Sequence, residues 1–376
     1  MLIEVHILKN YPPVNLNRDE NGVPKSCMFG GTMRGRISSQ CLKRSWRTSE
    51  VFKNVGSNGI RTRKLPELVY DALLQQGVDE EFASVARTKM TGLLNKEGKT
   101  NDTGKTAQIA FYSPEEIARV AQSVKEIIEK DGDIKAFEKR NPAKDFKPLV
   151  DNAKLAPISA DIALFGRMVT SDLFVDVDAS MQVAHAISTH AVNQESDYYV
   201  AMDDLLKIGE EAGADMIGDI DYNSCCYYEY ASIDTDALLE NLKNAPEKNQ
   251  LVAKLIPALL KAMAFANPSG KQNTFAGQTL PALVMIECKD VKIPLSYVNA
   301  FEEPVPSWGK NPKIVENSIH KLSAYVDSMD NAYGLENTMR AWFAPMVPNI
   351  HPAQASVFAN YNEMIKAVAA VMRGES

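Results

Sequence analysis

The chain has 376 residues, 45% of them apolar and 24% charged, with a formal net charge of −7. That is an ordinary globular balance, with enough chain to bury one large core or two to three smaller ones, so a folded soluble protein is expected. No window approaches the roughly 18 to 20 uninterrupted apolar residues needed to cross a bilayer, and MLIEVHILKN carries no basic n-region ahead of a long apolar run; this excludes a membrane partner and points to the cytoplasm.

In chain order, Leu2 to Leu8 alternates apolar Ile3, Val5 and Ile7 with Glu4 and His6, the period of a strand. Residues 9 to 35 hold Pro12, Pro13, Gly22, Pro24, Gly30, Gly31 and Gly35, which predicts a long loop. Ser38 and Ser39 offer an N-cap to a helix over 40 to about 52. On it, Gln40, Lys43, Arg44 and Arg47 fall at i, i+3, i+4 and i+7, and the opposite stripe of Leu42, Trp46 and Ser49 is expected to pack on the sheet. ELVYDALLQQ, EEFASVARTKM and SPEEIARVAQSVKEIIEKDG predict helices, the last capped by Ser113 with Pro114, Glu115 and Glu116 in its first turn. NKEGKTNDTGKTA (95 to 107) predicts a mobile surface loop. Strand-like stretches follow at 158 to 168, 225 to 233 and 281 to 288, and a C-terminal helix at about 352 to 372.

Charge is unevenly spread. From Arg18 to Lys64, eleven Lys or Arg face three acids, a local +8 that leaves the remainder at −15. Lys25, Arg34, Arg36, Lys43, Arg44 and Arg47 surround glycines, serines and a glutamine. A serine pair at a helix N-terminus with a basic stripe running down from it has the chemistry of a phosphate-backbone cradle; a solvated basic face is the alternative. There is no G-x-x-x-x-G-K-[ST], and no G-x-G-x-x-G after a strand, so ATP and NAD lose support as cofactors. Cys27, Cys41, Cys225, Cys226 and Cys288 form no C-x-x-C pair, which predicts reduced thiols. The five histidines are scattered, and neither a metal site nor a cofactor is expected.

The stretch LNRDENGVPKSCMFGGTMRGRISSQCLKRSWR resembles the start of the CasC family, the guide-RNA-binding, Cas7-type backbone subunit of type I-E CRISPR Cascade complexes. Its LNRD, FGG and R-x-R-I-S-S-Q-x-L-K-R elements are all present. DIALFGRM, VAHAISTHAV, DDLLKIG, YYEYASID, GKQNTFA and PLSYVNAFE continue the resemblance in order over nearly the whole chain. It implies an α+β fold: an RRM-like (ferredoxin-like) palm from residues 1–57, 157–191 and 225–376, inserted helical fingers at 58–156 and a thumb hairpin at 192–224. It further implies a filament of copies along a guide RNA, with target DNA, other Cascade subunits and a recruited nuclease as partners, and no catalysis by this chain.

The RNA contacts that the resemblance implies are Arg18, Lys25, Ser38, Gln40, Lys43 and Arg47 for the backbone and Met168 near the bases, with Arg167 a weaker candidate. In the thumb they are Tyr198, Tyr199 and Val200, where YYV replaces a tryptophan-led stretch. Lys271 and Gln272 stay unassigned. A scaffold that accepts every spacer should hold phosphates and sugars and leave base edges free, and no RNP-type aromatic strand is present. The rival reading is a metal-dependent ribonuclease using Asp19, as in type III backbone relatives.

Overall fold

The computed structural model describes residues 1–94, 106, 109–141, 154–169, 174–201 and 216–375. The chain divides into two compact units. One comprises Met1–Phe52, Gln182–Ile233 and Ile256–Ser376, the other Lys53–Met181 and Asp234–Leu255. Segments 157–181 and 234–255, assigned by sequence to the palm, thus pack within the second unit.

The first unit is built on a sheet of ten strands among the described residues. These are β1 (Leu2–Val14), β2 (Ser26–Phe29), β3 (Thr32–Ile37), β6 (Met181–Val183), β7 (Ala186–Ser188), β8 (Glu195–Ala201), β9 (Met216–Asp234), β10 (Leu283–Lys289), β11 (Met339–Phe343) and β12 (Ser356–Val357). Their order is β12-β11-β10-β1-β9-β7-β3-β2, with β6 and β8 also paired to β9. β1 is central, paired antiparallel with β10 from Leu2↔Lys289 to Leu8↔Leu283. Its residues Leu2 through Lys9 are all buried, so the polar members of the alternation do not face water. One face carries a core of Leu8, Tyr228, Leu283, Met285, Phe301, Leu322 and Trp342, completed by the helix Ile314–Tyr333.

Beside this core lies a buried polar network. Glu4 accepts hydrogen bonds from Tyr230, Lys289 and the Leu295 N–H. Glu287 accepts from Arg340 at 2.6 Å, lies 3.2 Å from Lys289 and 3.6 Å from His6, and Arg340 continues to Asp330. Burial pushes the Glu287 carboxyl up, but His6 together with the Lys289 and Arg340 charges outweighs it and holds the group well below the carboxylate range.

Four local expectations are corrected. The first strand continues past Leu8 to Val14, carrying Pro12 and Pro13 in its exposed tail, and 26–37 is a hairpin, so 9–35 is not one loop. The first helix (α1, Ser39–Arg47) stops at Thr48, and a separate turn, Glu50–Lys53, follows. Residues 160–165 are helical, not extended: Ser159 takes the N-cap position and Asp161 lies in the first turn, signals that a short apolar run hides. The last helix starts only at Tyr361, where Asn360 caps it, after β12.

The second unit contains the expected helices Leu65–Gln75, Glu80–Leu94 and Pro114–Asp131, with a small β4–β5 pair (Ile60–Thr62, Ala110–Tyr112). Their apolar faces meet in a core of Leu65, Val69, Leu73, Ala86, Met90, Val120 and Val124. Glu116 reaches back to the Ser113 N–H at 2.8 Å, half of a capping box. The loop read at 95 to 107 falls outside the described residues apart from Thr106. No described helix is long and apolar enough to cross a membrane.

Candidate nucleic-acid interface

The β2–β3 hairpin turns on Gly30 and Gly31, at φ 56° and 71°, between the paired Phe29 and Thr32. Positive φ at both central residues is the type I′ turn that suits strand twist. Gly30 has a second constraint, because a Cβ there would sit 1.7 Å from the Glu302 carbonyl oxygen. Arg34, one of the clustered cations, turns inward. It is fully buried and donates to the carbonyls of Ser188 (3.0 Å), Phe301 (2.9 Å) and Glu302 (2.9 Å) and to Thr32 Oγ1. Its fork clamps the hairpin to the PLSYVNAFE segment and is not available to a ligand.

Ser38 caps α1, its Oγ accepting the Cys41 N–H at 3.4 Å, and is buried. Its own N–H donates to Asn17 Oδ1 at 2.9 Å, while the Asn17 carbonyl accepts the Lys25 N–H and the Lys25 carbonyl accepts the Arg36 N–H. LNRD, the hairpin and the helix start are thereby stitched together. Leu42 and Trp46 are buried on the inner face, so Trp46 is core and not a base platform. Gln40 and Arg44 are exposed, Lys43 and Arg47 partly so, and no acid lies in the first turn. Burial holds the Lys43 ammonium below its ordinary value.

Arg18 and Asp19 occupy the exposed loop that Arg18 closes by bridging to Pro24. Asp19 Oδ1 accepts the N–H groups of Asn21 (2.9 Å) and Val23 (3.0 Å), an Asx-type turn. Among the described residues no group of three or more His, Cys, Asp or Glu is arranged to hold a metal ion. Asp19 thus has a structural task, and the ribonuclease reading is not favoured. GKQNTFA packs against the chain just past β1, since a Cβ on Gly270 would lie 2.2 Å from the Leu16 carbonyl. Next to it, Lys271 is left-handed at φ 50° and Gln272 Nε2 donates to the Pro268 carbonyl at 2.9 Å.

Tyr198, Tyr199 and Val200 lie on β8, opposite Asp219, Gly218 and Ile217 of β9. All three are exposed, and the Tyr199 ring covers Gly218 closely enough that a Cβ there would meet it at 2.5 Å. Residues 202–215 of the expected thumb are outside the described residues.

Met168 belongs to the second unit and is 87% exposed. Its neighbour Arg167 is buried and bidentate to Glu116, at 2.7 and 2.9 Å, and also holds the Val175 and Phe111 carbonyls. The weaker RNA candidate is therefore an internal brace: five donors in a fixed fork are matched from within the fold. Residue type does not separate it from Arg47.

A further polar group was not read from the sequence. His185, just before β7, is exposed, and its Nδ1 lies 3.0 Å from Arg36 Nη1. Burial, then the charges of Arg36 and Lys25, hold its pKa below the ordinary value. Lys25 also acts on Cys41 of α1, where burial raises the thiol and Lys25 and Arg44 oppose it. The signal in sequence was His185 immediately preceding the short strand that pairs with the Arg36 strand, legible only once Arg36↔Ile187 fixes the register.

The family model for CT1975-like proteins matches residues 3–370. No curated protein sequence matches the chain. Among solved structures, a chain from a "CRISPR RNA-guided surveillance complex, pre-nicking" superposes with a TM-score of 0.83 at 26% identity, covering 99% of this chain and 100% of that one. A chain from another "CRISPR RNA-guided surveillance complex" gives 0.74 at 23% identity, covering 99% and 100%, a likeness of fold alone. With its mixed α+β architecture, its large sheet and a family match along nearly its whole length, the chain belongs to the CT1975-like protein family of Cas7-type CRISPR backbone proteins.

Proposed function

We propose that this protein is the guide-RNA-binding backbone subunit of a type I-E Cascade complex. The observation that carries the reading is the outer face of α1. There Gln40, Lys43, Arg44 and Arg47 project beside a capped helix N-terminus that the LNRD loop holds in place, while the rest of the chain is acidic. Such a face suits phosphates of any sequence. In this reading the sheet-bearing unit contains an RRM-like palm, the helical unit supplies fingers, and the β8–β9 arm is a thumb whose Tyr198, Tyr199 and Val200 wedge at a displaced nucleotide.

Copies would line up head to tail along the guide, an arrangement that does not close on itself, so the RNA and capping subunits end it. The chain itself is read as non-catalytic and cytoplasmic, presenting the guide to target DNA for a separate nuclease. Sequencing the RNA that copurifies with the complex tests this. Repeat-derived small RNAs of uniform length support it, and random cellular RNA or none overturns it.

A further inference from the structure

We propose that His185, held by Arg36, is a neutral hydrogen-bond donor to a phosphodiester oxygen of single-stranded RNA, extending the interface from α1 onto the sheet. A guanidinium has donors only, so the 3.0 Å contact from Arg36 Nη1 requires His185 Nδ1 to accept, and the ring proton must then sit on Nε2. The Arg36 side chain is fixed in turn, because its Nε donates to the Ser26 carbonyl at 3.3 Å. His185 is exposed, and with Nδ1 engaged by Arg36 the Nε2–H is the ring donor left for a partner from outside, its tautomer already chosen.

The surroundings favour an anion. Arg36 adjoins His185 directly, and Lys25 lies near enough for its charge to reach both this ring and Cys41 on α1. The backbone ties the same groups together, as the Arg36 N–H donates to the Lys25 carbonyl. His185, Arg36, Lys25 and the start of α1 are therefore one neighbourhood. Burial, and after it the two cations, disfavour a protonated imidazole, in keeping with the Nδ1 acceptor role, so the group acts through a hydrogen bond and not through charge. This inference rests on the guide-RNA reading and adds to it a contact of a different kind from the cationic ones.

That difference sets the test. Purified full-length protein is titrated with a fluorescently labelled, unstructured single-stranded RNA over a salt series, comparing wild type, His185→Ala, His185→Gln, Arg36→Gln and Lys43→Ala/Arg47→Ala. Loss of a neutral hydrogen bond should weaken binding by about three- to tenfold at every salt concentration in His185→Ala, leaving the salt slope unchanged, because no counterion-releasing cation has gone. His185→Gln, which keeps an amide donor, should recover part of that loss. Arg36→Gln should weaken binding and lower the slope as well. Unchanged thermal unfolding of the exposed His185 variants separates binding from folding. If His185→Ala binds as wild type while the α1 double variant does not, the inference falls and the guide-RNA reading stands. If wild type binds no RNA, both fall.

Discussion

The sheet-bearing unit concentrates charge in two places, and the contrast between them explains how the same residue types come to do different work. Around β1, β10 and β11, Glu4, Glu287, Lys289, Arg340 and Asp330 are buried and satisfy one another. On α1, Arg44 is exposed and Lys43 partly so, and the helix carries no acid in its first turn. A closed network specifies how strands and helix meet. An open one leaves its attraction for something else. Counting Lys and Arg along the sequence cannot tell them apart, whereas accounting for partners does.

The sharpest way to break the comparison is to open the closed network. Arg340→Ala leaves Glu287 and Asp330 buried without their common cation, and should destabilise the protein by about 3–5 kcal/mol, read from denaturant midpoints. Trp46→Ala removes the buried anchor of α1 and should cost a similar ~3–5 kcal/mol, with RNA binding lost only as the helix loosens. Opposite behaviour is expected from Lys43→Ala/Arg47→Ala. Folding should change by no more than about 0.5 kcal/mol, while RNA binding should lose about 2 kcal/mol per copy and the salt slope should fall by about 1.4. Recovery of guide RNA at normal yield by that double variant would mean that the outer face of α1 is not the cradle.

Acid should act on the closed network first. The folded-state pKa of Glu287 is depressed, so its contribution is complete above the unfolded carboxylate value of about 4 and is lost as pH falls below it. Thermal melts across that range should show stability falling with pH, and Glu287→Gln should flatten the fall. The smallest effect is expected at Asp19. Asp19→Ala removes two turn hydrogen bonds from an exposed loop and should cost about 1 kcal/mol or less, with guide and target binding near wild type and no cleavage of complementary RNA with Mg²⁺ to abolish.

Much of this was legible in advance, for identifiable reasons. Long periodic segments such as Pro114–Asp131 declare their helices, Ser113 and Glu116 mark a start, and the Leu42 and Trp46 stripe identifies the buried side of α1. What stayed hidden depends on neighbours distant in sequence. Glu4 and His6 look solvent-facing until partners from β9, β10 and the segment before Val298–Phe301 cover them. Arg34 and Arg167 look like ligands until carbonyls and a carboxylate claim their forks. His185 looks incidental until strand register sets it beside Arg36. The glycines at 30 and 31 read as breakers of a loop, although two consecutive positive-φ positions between pairing residues make a hairpin.

That hairpin tip also sets where the protein can be labelled. With its first turn glycine pressed on the Glu302 carbonyl, a fluorophore, tag or inserted codon at position 30 would push apart two segments separated by most of the chain. Gly334 offers the reverse: it ends the helix Ile314–Tyr333, and a Cβ built on it meets nothing within 4 Å. Its φ of 61° disfavours a simple side-chain substitution but not a short flexible insertion. A tether attached there would leave the helix end into open space, without the clash that the hairpin glycine imposes.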